Sequence, residues 1–254
     1  MEFRRLWVFS DLHLENLETD LAGAFLRTLS KPEGPGDVVV FAGDVFELWV
    51  GRSAYFSKKF GAFIKLLDEL ARKGVRIYYI EGNHDFHLTS VLPAAVQVVS
   101  CSVQLQLRLP DGALRKIWIE HGDLADREDR SYLRMRAVLR SRWVRVASDL
   151  LPGRWVEILA ARISRPADRK ESDLPERWDN ERRERLRSVY RGHASIRKSQ
   201  GFDWVIFGHC HDLDEWGGFY WNMGYPPVHR QYLVYDPAGS GGKDSIIRRY
   251  FLGI

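Results

Sequence analysis

Seven residues able to hold a metal ion occur at five places along the chain, each just after a short apolar run. Asp11 and His13 follow Leu6–Phe9 in "SDLHL", and Asp44 follows Val38–Phe41 in "FAGD". Asn83 follows Arg76–Ile80 in "GNHDF", and His121 follows Ile117–Ile119 in "EHGD". His209 and His211 follow Trp204–Phe207 in "GHCH". One octahedral ion takes about six ligands, and catalytic sites keep some positions open. Two carboxylates, one amide oxygen and four imidazoles are therefore better explained by two ions. Two cations about 3.5–4 Å apart share an anionic bridge, activate water and stabilise phosphate displacement. Asp44 is the natural bridge, because Gly43 lets the chain turn tightly before it. In "DLH" and "HCH" the i, i+2 spacing puts both side chains on one face of an extended strand. Oxygen and nitrogen donors without thiolate favour Mn, Fe or Zn over Ca.

His84 completes neither ion's set. It is placed to protonate a leaving oxygen or to steady phosphoryl charge, with Asp85 expected to orient its imidazole. His87, His193 and His229 read as ordinary polar residues, although His87 lies near the site and His229 follows "NMGYPP", a candidate rim. Cys210 lies between two ligands and is expected to point away into packing, and Cys101 is expected in the core.

The elements that must carry these residues are short apolar strands, as expected for strands buried on both faces. Helical spacing occupies Ala22–Leu29 and Phe60–Arg72, with Gly74 as a C-terminal stop signal. This alternation predicts a layered α/β core. Val103–Leu109 alternates strictly, and "PDG" separates it from Leu114–Ile119, a hairpin signal that makes the sheet mixed. Arg230–Tyr235 and Ser245–Leu252 read as two further strands joined by a turn at Asp236–Asp244. Residues 125–200 contain no strand-like run and have apolar residues at helical spacing. "LPG" at Leu151–Gly153 breaks the pattern, and Arg165–Asn180 reads as a loop. The expected organisation is a core of residues 1–124 and 201–254 with a helical lid over 125–200.

The chain has 254 residues, 45% of them hydrophobic and 28% charged, which excludes a disordered polymer. Two distant cysteines give no disulfide framework and point to a reducing compartment. No apolar leader stretch and no run of about 18 apolar residues is present, so a cytoplasmic location is expected. Residues 125–200 hold 20 Lys and Arg against 12 Asp and Glu, a net +8, while the remainder carries −4. Such a segment either meets a phosphate-bearing partner or is a solvated helix surface. Its basic residues interleave with acidic ones in no recognised nucleic-acid motif, so nucleic acid is not the expected partner.

The motif set "SDLHL", "FAGD", "GNHD", "EHGD" and "GHCH" resembles the calcineurin-like metallophosphoesterases, in the family's order. The resemblance implies a four-layer sandwich with a dinuclear centre. It assigns Asp11, His13, Asp44 and His211 to the first ion, with Asp44, Asn83, His121 and His209 on the second. A resemblance over nearly the whole chain, carried by "FAGDVFELWVG", "GNHDF", "EHGDLADREDRSYLRMR" and "LLPGRWVEILAARISR", is to the UDP-2,3-diacylglucosamine diphosphatases of the bacterial lipid A pathway. That implies Mn as the metal and pyrophosphate cleavage to UMP and 2,3-diacylglucosamine 1-phosphate (lipid X). It also implies a lid that contacts substrate through Asp129, Tyr132, Arg165, Arg169 and Lys170. The best-known members have Arg where this chain has His84, and Arg where it has Ser164. The lid's apolar residues Leu150, Leu151, Trp155, Ile158 and Leu159 either pack on the core or form a slot for acyl chains beside an anionic inner membrane. The alternatives are a paralogous phosphodiesterase or pyrophosphatase acting on a nucleotide or other phosphate ester, and a metal-bound scaffold without activity.

Overall fold

The computed structural model describes residues 2–152, 154–155, 178–237 and 246–253. In chain order the elements begin with β1 (Glu2–Phe3), β2 (Arg5–Phe9), α1 (Asp20–Leu29), β3 (Asp37–Ala42) and β4 (Trp49–Val50). Next come α2 (Ala54–Lys59), α3 (Gly61–Arg72), β5 (Arg76–Ile80), β6 (Asp85–Phe86) and β7 (Val96–Val99). The hairpin β8 (Ser102–Arg108) and β9 (Leu114–Glu120) leads to α4 (Arg130–Leu139) and α5 (Arg142–Leu150). Helix α6 (Asn180–Ser199) precedes β10 (Trp204–Phe207), β11 (Leu213–Trp216) and β12 (Tyr220–Met223). The short α7 (Pro226–His229), β13 (Gln231–Tyr235) and β14 (Ile247–Tyr250) complete the described chain.

Among the described residues the long strands form two six-stranded mixed sheets. One has the order β14-β13-β2-β3-β5-β7 and the other β1-β8-β9-β10-β12-β11. Strand alternation sorts the apolar runs into layers. Leu6, Val8, Val38, Val40 and Ala42 face the second sheet and meet Leu105, Ile117, Ile119 and Ile206 there. Their neighbours Trp7, Phe9, Val39 and Phe41 face the other way, onto Phe25 of α1 and Phe63, Leu67 and Leu70 of α3. Each such fully buried side chain contributes about 1.5–3 kcal/mol. Both faces are covered, which is why these strands read as unbroken apolar runs. On the far side, Tyr190 and Ala194 of α6 cover Val205, Phe207 and Tyr220. The result is four layers, helix, sheet, sheet and helix.

Local signals fix the ends. Thr19 accepts the Ala22 amide at the start of α1, and Asp179 accepts the Arg182 amide at 2.7 Å at the start of α6. Gly74, at φ 87°, ends α3 with Gly74 and Val75 amides donating to Ala71 and Leu70. The expected hairpin pairs Val103 with Ile119 and Leu107 with Arg115. Helix α6 is Arg-rich, and two of its half-exposed cations are paired with carboxylates of the core. Arg187 holds Asp212 at 2.6 Å and Arg191 holds Asp214 at 2.7 Å. Most of the expected turn at Asp236–Asp244, and most of the loop Arg165–Asn180, lie outside the described residues. Among the described residues no helix is long and apolar enough to cross a membrane.

Candidate metal centre

The C-terminal ends of β2, β3 and β5 in one sheet meet those of β9 and β10 in the other, and all seven candidate ligands converge there. His211 Nε2 lies 3.5 Å from Asp11 Oδ1 and 3.1 Å from His13 Nε2. His121 Nε2 lies 3.1 Å from Asn83 Oδ1, 3.2 Å from His209 Nδ1 and 3.4 Å from Asp44 Oδ2. Asp44 Oδ2 also stands 3.9 Å from His13 Nε2, so it touches both groups. Ligands bound to one ion at about 2.0–2.2 Å sit roughly 3–3.5 Å from each other, so these spacings fit two coordination shells.

The donor chemistry fits as well. His121 Nδ1–H donates to the Ala42 carbonyl at 2.9 Å, and His13 Nδ1–H donates to Glu47 at 3.0 Å. Each bond leaves the Nε2 lone pair aimed into the centre. Converging lone pairs 3.1–3.4 Å apart repel unless a proton or a cation lies among them. The family implied by the motifs uses divalent ions, and this donor set is suited to hold them.

The i, i+2 convergence does not come from extended strand, as the spacing predicts. Asp11, His13, Asp44, His209 and His211 all have positive φ, between 46° and 68°. The ligand loops leave the strands and coil left-handedly, a conformation that costs about 1–3 kcal/mol per non-glycine residue. Cross-links hold them in it. The Asp11 amide donates to Gly43 O, the His13 amide to Asp44 O, and the His209 amide to the Asp11 carboxylate at 3.0 Å. Two glycines make room. A Cβ on Gly82 would collide with the Asp44 carboxylate, and one on Gly208 with Ser10 and Asp11.

Burial alone would push the charged forms out, and the partners reverse this selectively. Burial raises Asp44, but His121, His84 and His13 outweigh it and hold the carboxyl well below its usual range. Burial lowers His121, but Asp44 and then Asp11 lift it to about 10. Burial and the neighbouring His121 lower His209 to about 4. Burial also lowers His13, with Glu47 pulling only partly the other way.

Asp85 does not orient His84. Its Oδ1 accepts the Asp44 and Gly82 amides at 2.9 and 3.0 Å. Its Oδ2 accepts the Val45 and Phe46 amides at 2.7 and 3.3 Å and the Tyr79 hydroxyl at 2.6 Å. Asp85 therefore ties the Asp44 turn to the "GNHD" turn. The His84 ring is oriented by Glu47, whose carbonyl accepts from Nδ1 at 2.8 Å, and the His84 amide donates to Asp44 Oδ1. The His84 ring packs 4.8 Å from that of His13.

Glu47, Asp123 and Tyr225 are site residues that the sequence reading missed. Glu47 lies three residues beyond Asp44, where "GDVFE" was the available signal. Asp123 lies two beyond His121 and is buried. It accepts from Tyr132 Oη at 3.1 Å and forms an ion pair with Arg136. The Tyr225 ring stacks on His211 at 4.5 Å. Cys210 points into packing, accepting from Asn222 Nδ2 at 3.1 Å. Cys101 is exposed rather than buried, because it sits in the turn between β7 and β8.

Helix α4 approaches the same centre. Tyr132 places its ring 5.1 Å from that of His209. Asp129 is an exposed N-cap whose Oδ1 accepts the Tyr132 amide at 2.9 Å. Arg165, Arg169 and Lys170 lie outside the described residues, as do Ile158 and Leu159. Leu150, Leu151 and Trp155 are exposed rather than packed on the core.

A family model for calcineurin-like phosphoesterases matches residues 4–213. The chain belongs to this family. The phosphoesterase is 27% identical over 227 residues to the UDP-2,3-diacylglucosamine hydrolase of Neisseria gonorrhoeae, covering 82% of this chain and 91% of that one. It is 32% identical over 155 residues to the enzyme of the same name from Ralstonia nicotianae, covering 59% and 55%. Among solved structures, Yfce, a phosphoesterase from E. coli, aligns over 97% of this chain and 99% of its own, with 17% identity and a TM-score of 0.44. By its family the phosphoesterase is a metal-dependent hydrolase, and its own sheets and helices form the four layers that the resemblance implies.

Proposed function

We propose that this phosphoesterase cleaves the pyrophosphate of UDP-2,3-diacylglucosamine to UMP and 2,3-diacylglucosamine 1-phosphate. The observation that carries the chemistry is the meeting of two ligand groups, Asp11, His13 and His211 with Asp44, His121 and His209, at the single Asp44 carboxylate. The relatives of that name support the substrate. Asp11, His13, Asp44 and His211 would hold one ion and Asp44, Asn83, His121 and His209 the other, with Mn as the proposed metal. When bound, such a pair supplies Lewis acidity toward water and phosphoryl oxygen.

The chain's own groups do the rest. Glu47 and Ala42 hold the Nδ1–H groups of His13 and His121, so neither of these two rings turns as substrate binds. His84, fixed by Glu47, offers Nε2 beside the centre and, when doubly protonated, gives that proton to the departing oxygen. Tyr132 stands over His209 as a wall for the substrate, with Asp129 starting the helix that carries it. On α5, Trp143, Val146 and Leu150 are exposed at i, i+3 and i+7 with Arg142 and Arg145 among them. That pattern supports acyl chains and peripheral contact with an anionic membrane face.

The test is purified protein with Mn and UDP-2,3-diacylglucosamine, scored for UMP. No UMP, together with turnover of bis(p-nitrophenyl) phosphate, replaces the glycolipid with another phosphodiester. Asp44→Ala should abolish hydrolysis of either, and retained hydrolysis would remove Asp44 from the centre.

A further inference from the structure

We propose that α4 and Arg140, the residue that closes it, position the ligands of one cation site only, that of Asn83, His121 and His209. The proposal rests on the two-ion reading above.

Arg140 is the decisive residue. Its Nη2 donates to the carbonyl oxygens of Glu81 and Gly82 at 2.7 and 3.0 Å, and its Nη1 donates to Glu81 Oε2 at 3.1 Å. One planar fork thus holds both residues that precede Asn83. Glu81 is buried, and its other oxygen accepts the Leu88 amide at 2.8 Å, so the "EGNHDFHL" loop is closed on itself and pinned to the helix. A second link runs from the same loop to the same helix end, where His87 Nε2–H donates to the Leu139 carbonyl at 3.2 Å.

The other contacts of α4 follow the same bias. Tyr132 and Arg136 both bind Asp123, two residues after His121. Arg136 also donates to Ser100 O, beside Val99, whose carbonyl accepts the Glu81 amide. The Tyr132 ring lies against His209. So α4 touches the loop of Asn83, the loop of His121 and the ring of His209. Among the described residues its hydrogen bonds to the core go to these loops and to Ser100. Asp11 and His13 are instead held by backbone bonds to Gly43 and Asp44, by the Glu47 carboxylate on His13 and by the His209 amide on the Asp11 carboxylate, none of them from α4. His211 is held through Arg187 on Asp212 and through Tyr225.

The two cation sites therefore differ in their dependence on α4. Removing a partner that orients metal ligands costs about 10–100-fold in affinity, and here that loss falls on one ion. By linkage, whatever moves α4 changes that ion's affinity, and that ion in turn stabilises α4. Arg140 is in this sense a positioning residue.

The experiment is Mn titration of the full chain by calorimetry, with electron paramagnetic resonance to distinguish paired from isolated Mn. The wild type should bind two ions and show a coupled pair. Arg140→Ala should keep one ion at wild-type affinity, weaken the other about 10–100-fold and show isolated Mn at sub-saturating metal. Arg140→Lys, which keeps the charge but not the fork, should fall between them, and it serves if Arg140→Ala does not fold. Tyr132→Phe should weaken the same ion by a smaller factor. An Arg140→Ala chain that binds both ions as the wild type does overturns the proposal. Equal weakening of both ions overturns it too, since that is a general structural effect. A wild type that binds a single ion defeats the two-ion reading itself.

Discussion

Asp85→Asn is the substitution whose cost follows most directly from the geometry. The Asp85 carboxylate is fully buried and receives four backbone amides and one hydroxyl. Asn keeps the shape but replaces one oxygen with an NH2. Turned with its oxygen toward Asp44 and Gly82, it presents N–H to the Val45 and Phe46 amides; Tyr79 alone can rotate to accept. Turned the other way, it opposes the Asp44 and Gly82 amides. Either orientation leaves at least two buried backbone N–H groups unpaired, at about 1–3 kcal/mol each. A loss of about 4 kcal/mol is a large share of a total stability of roughly 5–15 kcal/mol. In a chain of this size it lowers the melting temperature by roughly 8–16 °C. The pH dependence has a definite sign in metal-free protein. Burial, then the Asp44 charge, raises Asp85 to about 7, against the pull of its donors. A carboxyl raised on folding contributes stability that is present below its unfolded pKa and lost as pH rises through about 7. Asn does not titrate, so the penalty is larger at pH 5 than at pH 8. Urea denaturation of EDTA-treated wild type and variant at both pH values measures this. Equal midpoints, or a larger penalty at pH 8, would refute the role given to Asp85.

Three further outcomes are expected. His84→Ala should retain both Mn ions in a calorimetric titration and lose most of kcat; loss of an ion would make His84 a ligand. Gly82→Ala drives a Cβ into the Asp44 carboxylate, so the fold should survive at lowered stability while Mn binding weakens about tenfold or more, as when the support of a ligand is disturbed; wild-type Mn affinity would show that the turn has room to spare. Mn binding should release protons: His121 in metal-free protein holds a proton up to about 10 because Asp44 outweighs burial, and a cation must displace it. Affinity should therefore rise from pH 6 to pH 9, and titrations in buffers of different ionisation enthalpy should report the release. No proton release would show that His121 is already neutral.

The strands and the ligands were legible for one reason. Strands covered on both faces leave apolar runs such as "VVVF", and chemistry at strand ends follows the run directly. What was not legible depended on contacts distant in sequence. Glu47 matters because its oxygens reach His13 and His84, 34 and 37 residues away. Asp85 read as the partner of its neighbour His84, whereas its five donors come mostly from a turn about 40 residues earlier. The left-handed positions Asp11, His13, His209 and His211 are themselves not glycines, so "DLH" and "HCH" read as extended strand. The Arg-rich α6 read as a solvated or phosphate-seeking surface because Asp212 and Asp214, which take up Arg187 and Arg191, lie on a different element. Cys101 read as core from its residue type, and only the β7–β8 turn exposes it.

The position of Asp44 between two ligand groups has a mechanical consequence. Asp11, His13, Asp44 and Asn83 belong to one sheet, and His121, His209 and His211 to the other. Each cation would therefore take ligands from both sheets and act as a rivet through the sandwich, joining His13 to His211 across 198 residues of chain. Apolar packing between sheets resists separation but tolerates small sliding; two rivets at one edge leave only a hinge about that edge. Motion in the loaded protein would then concentrate at the opposite end of the sheets, near the β8–β9 hairpin turn at Pro110–Gly112, away from the chemistry.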